Sequence, residues 1–280
     1  MSATVTITAE KLIRLVGTPA SPAIVDVRTD EDFQKDPRLI PGSTRRPFAT
    51  VDDWAGAFAG RSVVVVCEKG LKLSHGVAAW LRHAGIDAET LDGGTLAWAA
   101  AQLPMISTGV LPAPDARGRT VWVTRARPKV DRIACPWLIR RFVDPAAVFL
   151  YVAPSEVMAV AERFSATPFD IEGENVFWSH RGELCTFDVM LDEFGLTGFA
   201  PLQRLALLVR GADTDKPSLA PQAAGLLAAS LGLSRMFADD LKQLDAGMLL
   251  YDAFFRWCRD ATGETHDWVS HAPKATARRS

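Results

Sequence analysis

Residues 63–85 read VVVVCEKGLKLSHGVAAWLRHAG, and the amino-terminal half of the chain is organised around this stretch. The four consecutive valines form an apolar, β-branched run, which predicts a strand covered on both faces in a parallel sheet. After the loop Cys67–Lys72, apolar residues recur with the period of a helix: Leu73, Val77, Leu81 and Ala84. Gly85 ends this pattern, as glycine commonly ends helices. The stretch therefore predicts a buried strand, a tight loop and a helix, with Cys67 at the carboxyl end of the strand.

The position of Cys67 favours a reactive thiol. Backbone N–H groups of a tight turn before a helix can converge on one anion, and the helix dipole adds to this effect. Lys69 and Lys72 bring two positive charges into the same loop, and such surroundings lower the pKa of a thiol. Glu68 acts against this, because a neighbouring carboxylate raises the pKa of a thiol. These residues leave two interpretations open, a nucleophilic cysteine and a small buried apolar residue.

The length and composition indicate a globular protein. The 280 residues have room for two domains, and 48% apolar with 23% charged residues is typical of globular chains. No apolar stretch is long enough to span a bilayer, and the start MSATVTITAEKL lacks the pattern of a secretory signal. Four scattered cysteines without a C-x-x-C pair predict neither a disulfide framework nor a zinc knuckle. We therefore expect a soluble, cytoplasmic protein with reduced thiols and no membrane partner.

Two domains with different patterns are predicted. Strands alternate with helices over residues 1–108, which predicts an α/β domain with a parallel sheet flanked by helices. Residues 109–118 contain two prolines and two glycines with little periodicity, as in a linker. Residues 119–271 are strand-rich first and helix-rich last, which predicts an α+β, mostly helical domain. The basic segment 272–280 lacks an apolar pattern and is expected to be disordered.

Two further predictions concern helix boundaries in the second domain. Pro136 indicates that a helix in this region takes regular geometry only near Cys135. The Cys135 thiol would then lie at the positive end of a helix, close to Arg132, and both a redox role and a half-buried structural role are compatible with that position. Farther along the chain, the helical pattern that begins at Pro201 is expected to stop at Gly211.

A basic run lies between Arg117 and Arg141, where eight lysines and arginines accompany one acidic residue. Such a run is typical of a solvated face, and its other use is to attract anions. The candidate oxyanion-binding residues are Arg125, Arg132, Arg140 and Arg141. The net charge of the whole chain is −2, so the molecule as a whole does not have the charge of a polyanion-binding protein.

His180, Asp188 and Asp213 are the candidate metal ligands of the second domain. His180 precedes a predicted helix, Asp188 lies one turn inside it, and Asp213 follows the next helix. One imidazole and two carboxylates suit Fe(II), Mn(II) or Zn(II). The spacing is not a standard metal motif, and a structural role stays open, in which His180 forms hydrogen bonds and Asp188 pairs with Arg210 or Arg181.

Several motifs of the first domain occur in a characteristic order. They are Ile24-Val25-Asp26-Val27-Arg28, Ile40-Pro41-Gly42, the loop Cys67-Glu68-Lys69-Gly70-Leu71-Lys72, and Leu91-Asp92-Gly93-Gly94. In this order they resemble the rhodanese family of sulfurtransferases over residues 1–105. Two departures are Leu39, where the family commonly has histidine, and Leu73, where it has Ser or Thr.

This resemblance implies that Cys67 is the catalytic residue and carries the sulfane sulfur. The implied substrate-binding residues are those of the loop and of the Asp-x-Arg pair: Glu68, Lys69, Gly70, Leu71, Lys72, Asp26 and Arg28. The implied partners are a sulfur donor of the thiosulfate type and a thiol or cyanide acceptor. The family's sulfur transfer needs no cofactor.

The second half carries another set of matching stretches, namely Trp122-Val-Thr-Arg125, Asp131-Arg-Ile-Ala, Trp137-Leu-Ile-Arg-Arg-Phe142 and His180-x-Gly-x-x-Cys-Thr-Phe-Asp188. Together they resemble the carboxy-terminal domain of the chromate-resistance protein ChrB. The resemblance implies a link to the response to chromate and a metal- or oxyanion-binding site at these positions. ChrB proteins that act as regulators have a different amino-terminal region, so nucleic acid is not an expected partner here.

Three hypotheses for the function follow. The leading one is a sulfurtransferase that carries a persulfide on Cys67, coupled to an oxyanion- or metal-binding domain. The second is a chromate or oxyanion sensor without turnover, in which the arginines of the basic run bind a chromate- or sulfate-like anion. The third is a thiol-dependent chromate reductase that uses Cys67 and Cys135.

Overall fold

A computed structural model of the chain describes residues 5–173 and 176–265. The segment 272–280, which was expected to be disordered, lies outside the described residues. The amino-terminal half contains, in chain order, β1 (Thr6–Ile7), α1 (Ala9–Ile13), β2 (Ala23–Asp26), α2 (Asp30–Lys35), β3 (Arg38–Leu39), β4 (Ser43–Arg45), α3 (Val51–Ala55), β5 (Val63–Val66), α4 (Lys72–His83), β6 (Ala88–Leu91), α5 (Gly94–Ala100) and β7 (Ile106–Ser107).

Five of these strands form a parallel sheet in the order β1-β6-β5-β2-β4. All four valines of β5 are buried. Val63 and Val65 belong to the apolar cluster that contains α3 and α4 residues, whereas Val64 and Val66 belong to a second cluster on the opposite face. The valine run is therefore covered on both faces, as predicted. Cys67 follows its last residue, at the side of the sheet where the parallel strands have their carboxyl ends.

The carboxy-terminal half contains, in chain order, β8 (Val121–Arg125), α6 (Asp131–Leu138), β9 (Val148–Val152), α7 (Val157–Phe164), β10 (Thr167–Pro168), α8 (Thr186–Glu193), α9 (Ala200–Asp213), α10 (Ala223–Met236) and α11 (Asp240–Arg256). Its three strands form a small parallel sheet in the order β10-β8-β9. Helices make up most of the rest, which confirms the predicted α+β, mostly helical class. In the portion of the chain that is described, no helix is both long enough and apolar enough to traverse a lipid bilayer.

Helix α6 begins at Asp131, so the prediction that regular geometry starts near Cys135 is wrong. Pro136 lies inside the helix, and because it has no N–H it cannot donate to the carbonyl oxygen of Arg132, one turn earlier. The hydroxyl of Tyr151 on β9 donates to that oxygen instead, at 2.9 Å. A side chain from a neighbouring strand thus replaces the missing helical hydrogen bond, which allows the helix to continue through the proline.

Helix α9 continues through Gly211 to Asp213, so the prediction that it stops at Gly211 is also wrong. A Cβ atom on Gly211 would lie 2.9 Å from the Cβ of Ala223 and 3.1 Å from the carbonyl oxygen of Lys216. The glycine therefore allows a close approach of α10 rather than a helix end. This extension places Asp213 in the last turn of the helix, where it reaches the site described below.

The two halves share one apolar core. The cluster that contains Val64 and Val66 also contains Phe142, Phe194 and many other side chains of the second half. Phe142 packs onto Gly17, where a Cβ atom would lie 2.2 Å from the ring, and its carbonyl oxygen accepts a hydrogen bond from the N–H of Gly42 at 2.6 Å. The contact between the halves is therefore part of the folded core and not only a linker.

Candidate functional site

Cys67 follows β5 directly and is 4% exposed. Its thiol donates to the Oγ of Ser74 at 3.3 Å, and Ser74 in turn donates to the carbonyl oxygen of Leu71 at 3.0 Å. Ser74 lies in the first turn of α4 and is buried. The thiol is therefore held on the inner side of the loop, against the start of the helix.

The peptide groups of the Cys67 loop have a defined direction. The carbonyl oxygens of Cys67 and Glu68 accept hydrogen bonds from the N–H groups of Thr95 and Leu96 on α5, at 3.0 and 3.1 Å. Because the C=O and N–H of a trans peptide point in opposite directions, the N–H groups of Glu68 and Lys69 point away from α5. Across the described ranges, the N–H groups of residues 68–71 donate to no protein group. The loop thus presents a row of free donors next to the thiol.

Two glycines permit this loop geometry. Gly70 and Gly94 both have a positive φ, +66° and +62°. A Cβ atom on Gly70 would lie 2.5 Å from the carbonyl oxygen of Leu91, and one on Gly94 would lie 2.2 Å from the carbonyl oxygen of Cys67. The loop of Cys67 and the loop before α5 therefore interlock backbone to backbone, where no side chain fits.

The charged side chains of the loop face different partners. The carboxylate of Glu68 lies 3.8 Å from the Nζ of Lys35 and 3.9 Å from the Nζ of Lys69. Lys72 is exposed and pairs with no carboxylate of the residues that the structure describes. Glu68 is thus balanced by two lysines, which reduces its effect on Cys67, and the charge of Lys72 is left to interact with an anion.

Asp26 and Arg28, the predicted Asp-x-Arg pair, form a buried ion pair with a distance of 2.6 Å. The guanidinium also donates to the carbonyl oxygens of Asp36 and Arg38, at 2.9 and 2.7 Å. The pair therefore anchors the segment after α2 to the end of β2. Arg28 also lines a cavity of about 390 Å³ at the ends of β2 and β4, together with Arg45, Arg46 and Phe48.

A second cluster of polar side chains lies in the carboxy-terminal half. The Nε2 of His180 lies 3.6 Å from an oxygen of Asp131, 3.3 Å from one of Asp170 and 3.3 Å from one of Asp213. The four side chains come from the start of α6, the segment after β10, the loop before α8 and the end of α9. This His180 cluster therefore joins four separate elements of the second half.

The surrounding groups hold the carboxylates of the His180 cluster. Asp131 is buried, and one of its oxygens accepts a hydrogen bond from the N–H of Phe187 at 3.3 Å. Asp170 accepts one from the hydroxyl of Thr186 at 2.9 Å. Arg132 and Arg125 approach the other oxygen of Asp170, at 3.3 and 3.8 Å.

The cluster shifts the proton affinities of its members. Hydrogen bonds to Asp170 and Asp213 raise the pKa of His180 to about 10. Burial, together with the charges of Asp213 and Asp170, raises the pKa of Asp131 well above its ordinary value. Burial also acts to raise the pKa of Asp170, but hydrogen bonds from His180 and Thr186 outweigh it and the pKa is lowered. The cluster therefore favours the protonated imidazole of His180, and burial at the same time favours the protonated form of the Asp131 carboxyl.

The structure brings together His180 and Asp213 of the predicted metal ligands, but not Asp188. The carboxylate of Asp188 accepts hydrogen bonds from the N–H and the thiol of Cys185, at 3.1 and 3.2 Å, and lies 3.8 Å from the Nε of Arg210. Asp188 therefore helps to cap the amino-terminal end of α8. The predicted pairing of Asp188 with Arg210 agrees with the 3.8 Å distance between them. The predicted role of Asp188 as a metal ligand beside His180 does not agree with its position.

Sequence reasoning missed Asp131 and Asp170 as members of the cluster. Asp131 belongs to the Asp131-Arg-Ile-Ala motif of the ChrB resemblance, but it was not among the three candidate ligands. Asp170 carried a signal in principle, since it follows β10 and the register Pro168↔Val123 places it level with Arg125 at the carboxyl end of β8. Carboxyl ends of parallel strands are where polar sites gather. The sequence did not reveal this position, because the pairing of a strand of two residues cannot be predicted from its residues alone.

The four predicted oxyanion-binding arginines do not converge on one site. Arg125 and Arg132 face Asp170, whereas Arg141 forms a two-point ion pair with Asp252, at 2.8 and 2.7 Å. Arg140 and Arg141 instead line a groove of about 480 Å³ between the two halves, which we call the interdomain groove. Its other cationic lining residues are Arg46 and Arg61.

Cys135 lies in the middle of α6 and is fully buried, and burial raises the pKa of its thiol well above the ordinary value. The expected position at a positive helix end is therefore wrong. A chromate reductase that uses Cys67 with Cys135 would depend on a thiol with no exposed surface. The structure favours the structural role of Cys135.

Two family models match the chain. The model described as the rhodanese-like domain matches residues 8–101, and the model described as the ChrB C-terminal domain matches residues 122–258. Protein ChrB of Cupriavidus metallidurans is 34% identical over 134 residues, which are 48% of this chain and 39% of that protein. The chain thus covers well under half of this curated relative.

Solved structures are similar to the first half. A rhodanese-like domain protein from Staphylococcus aureus is 33% identical, with 34% of this chain and 90% of that chain covered and a TM-score of 0.31. A thiosulfate sulfurtransferase from Pseudomonas aeruginosa is 26% identical, with 36% of this chain and 19% of that chain covered and a TM-score of 0.31. By the two family models, the chain contains a rhodanese-like domain at residues 8–101 and a ChrB C-terminal domain at residues 122–258.

Proposed function

We propose that this protein is a sulfurtransferase that carries a persulfide on Cys67 and is coupled to an oxyanion- or metal-binding domain of the chromate response. The observation that carries the proposal is the thiol of Cys67 at the carboxyl end of β5 beside a row of N–H groups without protein acceptors. Such donors suit an anion that must be held in a fixed place.

The proposed reaction has two balanced steps. The thiolate of Cys67 attacks the outer sulfur of thiosulfate, a new S–S bond forms, and sulfite leaves with the electron pair of the broken S–S bond. A thiolate or cyanide acceptor then attacks the terminal sulfur of the persulfide. The Cys67 thiolate leaves with the electron pair and is regenerated, and no redox cofactor is required.

The loop supports each step by electrostatics. The N–H groups of residues 68–71 have no protein acceptor among the described residues, and the hydrogen bonds from α5 to the carbonyl oxygens of Cys67 and Glu68 fix the peptides that carry the N–H groups of Glu68 and Lys69. Pre-oriented donors stabilise developing charge without reorganisation during the reaction. The side chain of Lys72 adds a positive charge that attracts the thiosulfate dianion.

The test is the formation of thiocyanate from thiosulfate and cyanide. We expect activity in the wild type, and a loss of at least about a hundredfold in Cys67→Ala, because the nucleophile is removed. Cys258→Ala is the matched control, since Cys258 is buried in the second half, outside the loop, and should retain the activity. Equal rates in the wild type and Cys67→Ala would remove Cys67 from the mechanism.

The interdomain groove favours a second candidate function, the binding of a chromate- or sulfate-like dianion without turnover. Arg46 and Arg61 line the groove and have no carboxylate partner in the described part of the chain. Calorimetry with chromate is the test. Binding that is weakened in Arg61→Ala, but not in the exposed control Arg163→Ala, combined with no sulfur transfer by the wild type, would support this receptor function over the leading one.

A further inference from the structure

We propose that Asp131, Asp170, His180 and Asp213 form a binding site for one divalent cation of the manganese and iron class. The inference deepens the proposed metal-binding role of the second domain by giving its ligands and its ion. It does not depend on sulfur transfer by Cys67, which lies in the other domain.

The geometry of the His180 cluster suits a single ion. The distances from the Nε2 of His180 to the three carboxylate oxygens are 3.6, 3.3 and 3.3 Å. Ligand atoms bound to one transition metal ion at about 2.0–2.2 Å lie roughly 3–3.5 Å from each other. An oxygen of Asp131, an oxygen of Asp170 and a ring nitrogen of His180 lie within 4.8 Å of one another, and a carboxylate oxygen of Asp213 lies 3.3 Å from the same imidazole.

A buried oxygen without a partner provides an independent reason. The side chain of Asp131 is 1% exposed, and its Oδ1 has no hydrogen-bond partner among the described residues. Its other oxygen is the one that lies 3.6 Å from His180, so the carboxylate is directed at the cluster. A buried polar atom left without a partner is costly, and a bound cation would satisfy it.

The charges of the cluster also favour a cation. The ion pairs that Arg132 and Arg125 form within 4 Å in this cluster are both with Asp170. Asp131 and Asp213 have the imidazole of His180 as their one cationic ion-pair partner in the described ranges. A divalent ion would neutralise both carboxylates at once, and the neutral imidazole would then serve as a ligand through Nε2.

The donor set selects the class of ion. Three carboxylates and one imidazole are ligands for Mn²⁺ or Fe²⁺, whereas soft ions prefer thiolates. The thiol of Cys185 donates to Asp188 at 3.2 Å and also lies within hydrogen-bonding reach of Asp131, so it borders the carboxylate cluster. Because His180 is 42% exposed, the ion would keep positions open to water or to an oxyanion beside Arg125 and Arg132.

The experiment uses the full chain and Mn²⁺ alone as the probe, with free Mn²⁺ followed by electron paramagnetic resonance. We expect the wild type to bind one Mn²⁺ per chain. His180→Gln and Asp213→Asn should each weaken binding by at least about tenfold. Asp245→Asn removes the same charge from an Asp that is 77% exposed and pairs with Arg140, and it should bind Mn²⁺ like the wild type.

Absence of saturable Mn²⁺ binding to the wild type would overturn the proposal, and so would wild-type affinity in His180→Gln. Asp131→Asn is a further variant, and because His180 and Asp213 are both partly exposed, their variants decide the matter if Asp131→Asn does not fold. Cys67→Ala should bind Mn²⁺ normally, and His180→Gln should form thiocyanate normally. Failure of one proposal is thereby separated from failure of the other.

Discussion

The direction of the peptide groups around Cys67 depends on two residues without side chains. Gly94 has a φ of +62°, and a Cβ atom there would meet the carbonyl oxygen of Cys67 at 2.2 Å and the nitrogen of Gly70 at 2.4 Å. Neither of these backbone atoms can move without displacing the peptide groups of the Cys67 loop. The geometry of the Cys67 loop is therefore set by a backbone contact between two loops that are distant in sequence.

Gly94→Ala should consequently damage both stability and sulfur transfer. We expect a loss of at least about 1–2 kcal/mol in the free energy of unfolding, from the positive φ alone, and a further loss from the displaced loop. Gly76→Ala is the matched control, since Gly76 lies in α4 with open space around it, and it should be neutral or stabilising by up to about 1 kcal/mol. Urea unfolding and thiocyanate formation measure the two effects. Full activity in Gly94→Ala would show that the interlocked loops do not orient the site.

His180 should titrate far from its ordinary range in the metal-free protein. Hydrogen bonds to Asp170 and Asp213 raise its pKa to about 10. The stabilisation from protonated His180 is fully present below about pH 6.5, the unfolded value, and is lost as the pH rises through about 10. Nuclear magnetic resonance of the imidazole measures this pKa, and Asp213→Asn should lower it. A pKa near 6.5 in the metal-free wild type would contradict the cluster geometry.

At the scale of elements, α6 shows how a tertiary contact maintains a helix that contains a proline. Pro136 leaves the carbonyl oxygen of Arg132 without its helical donor, and Tyr151 on β9 supplies the replacement at 2.9 Å. Burial raises the pKa of Tyr151, so its hydroxyl stays a proton donor at neutral pH. The helix that carries Asp131 into the His180 cluster therefore depends on the small sheet beside it.

Tyr151→Phe should cost about 1 kcal/mol in the free energy of unfolding, because it leaves the part-buried carbonyl oxygen of Arg132 without this donor. In a Pro136→Ala background the alanine N–H can donate to that oxygen, so the same Tyr151→Phe change should cost less. A double-mutant cycle by urea unfolding measures the coupling. Strict additivity of the two changes would mean that Tyr151 does not compensate for the proline.

The elements of the first half were readable because their determinants are local. The run Val63–Val66 and the helical period after Lys72 each act within a few residues. Asp170 was not readable, since its place in the cluster depends on how β10, two residues long, pairs with β8. Asp188 was assigned to the metal by residue type, but its distance to the backbone of Cys185 makes it a helix cap. The His180 cluster thus contains some residues that the sequence pattern indicates, and others whose place depends on how strands pair in the folded chain.

For the molecule as a whole, the central feature is the apolar core common to both halves. The fully buried ring of Phe142 fills the space above Gly17 and contacts Trp137, Phe199 and Phe255 through their rings. A core that crosses the boundary couples the two domains during unfolding. The linker is therefore not the main connection between them.

Phe142→Ala should lower the free energy of unfolding by about 3–5 kcal/mol, and the transitions of both halves should move together. Phe164→Ala is the control, since that ring is 63% exposed and its removal should have little effect. Unfolding followed by tryptophan fluorescence and by loss of thiocyanate formation gives one signal for the whole chain and one for the first half. Two separate transitions, of which Phe142→Ala shifts one, would contradict a shared core.

The central claim is that Cys67 holds sulfur as a persulfide, and the mass of the intact protein after incubation with thiosulfate tests it most directly. The account predicts the addition of one sulfur atom, located on the peptide that contains Cys67, absent in Cys67→Ala and removed by cyanide with release of thiocyanate. No added sulfur in the wild type, or the same addition in Cys67→Ala, would contradict the account.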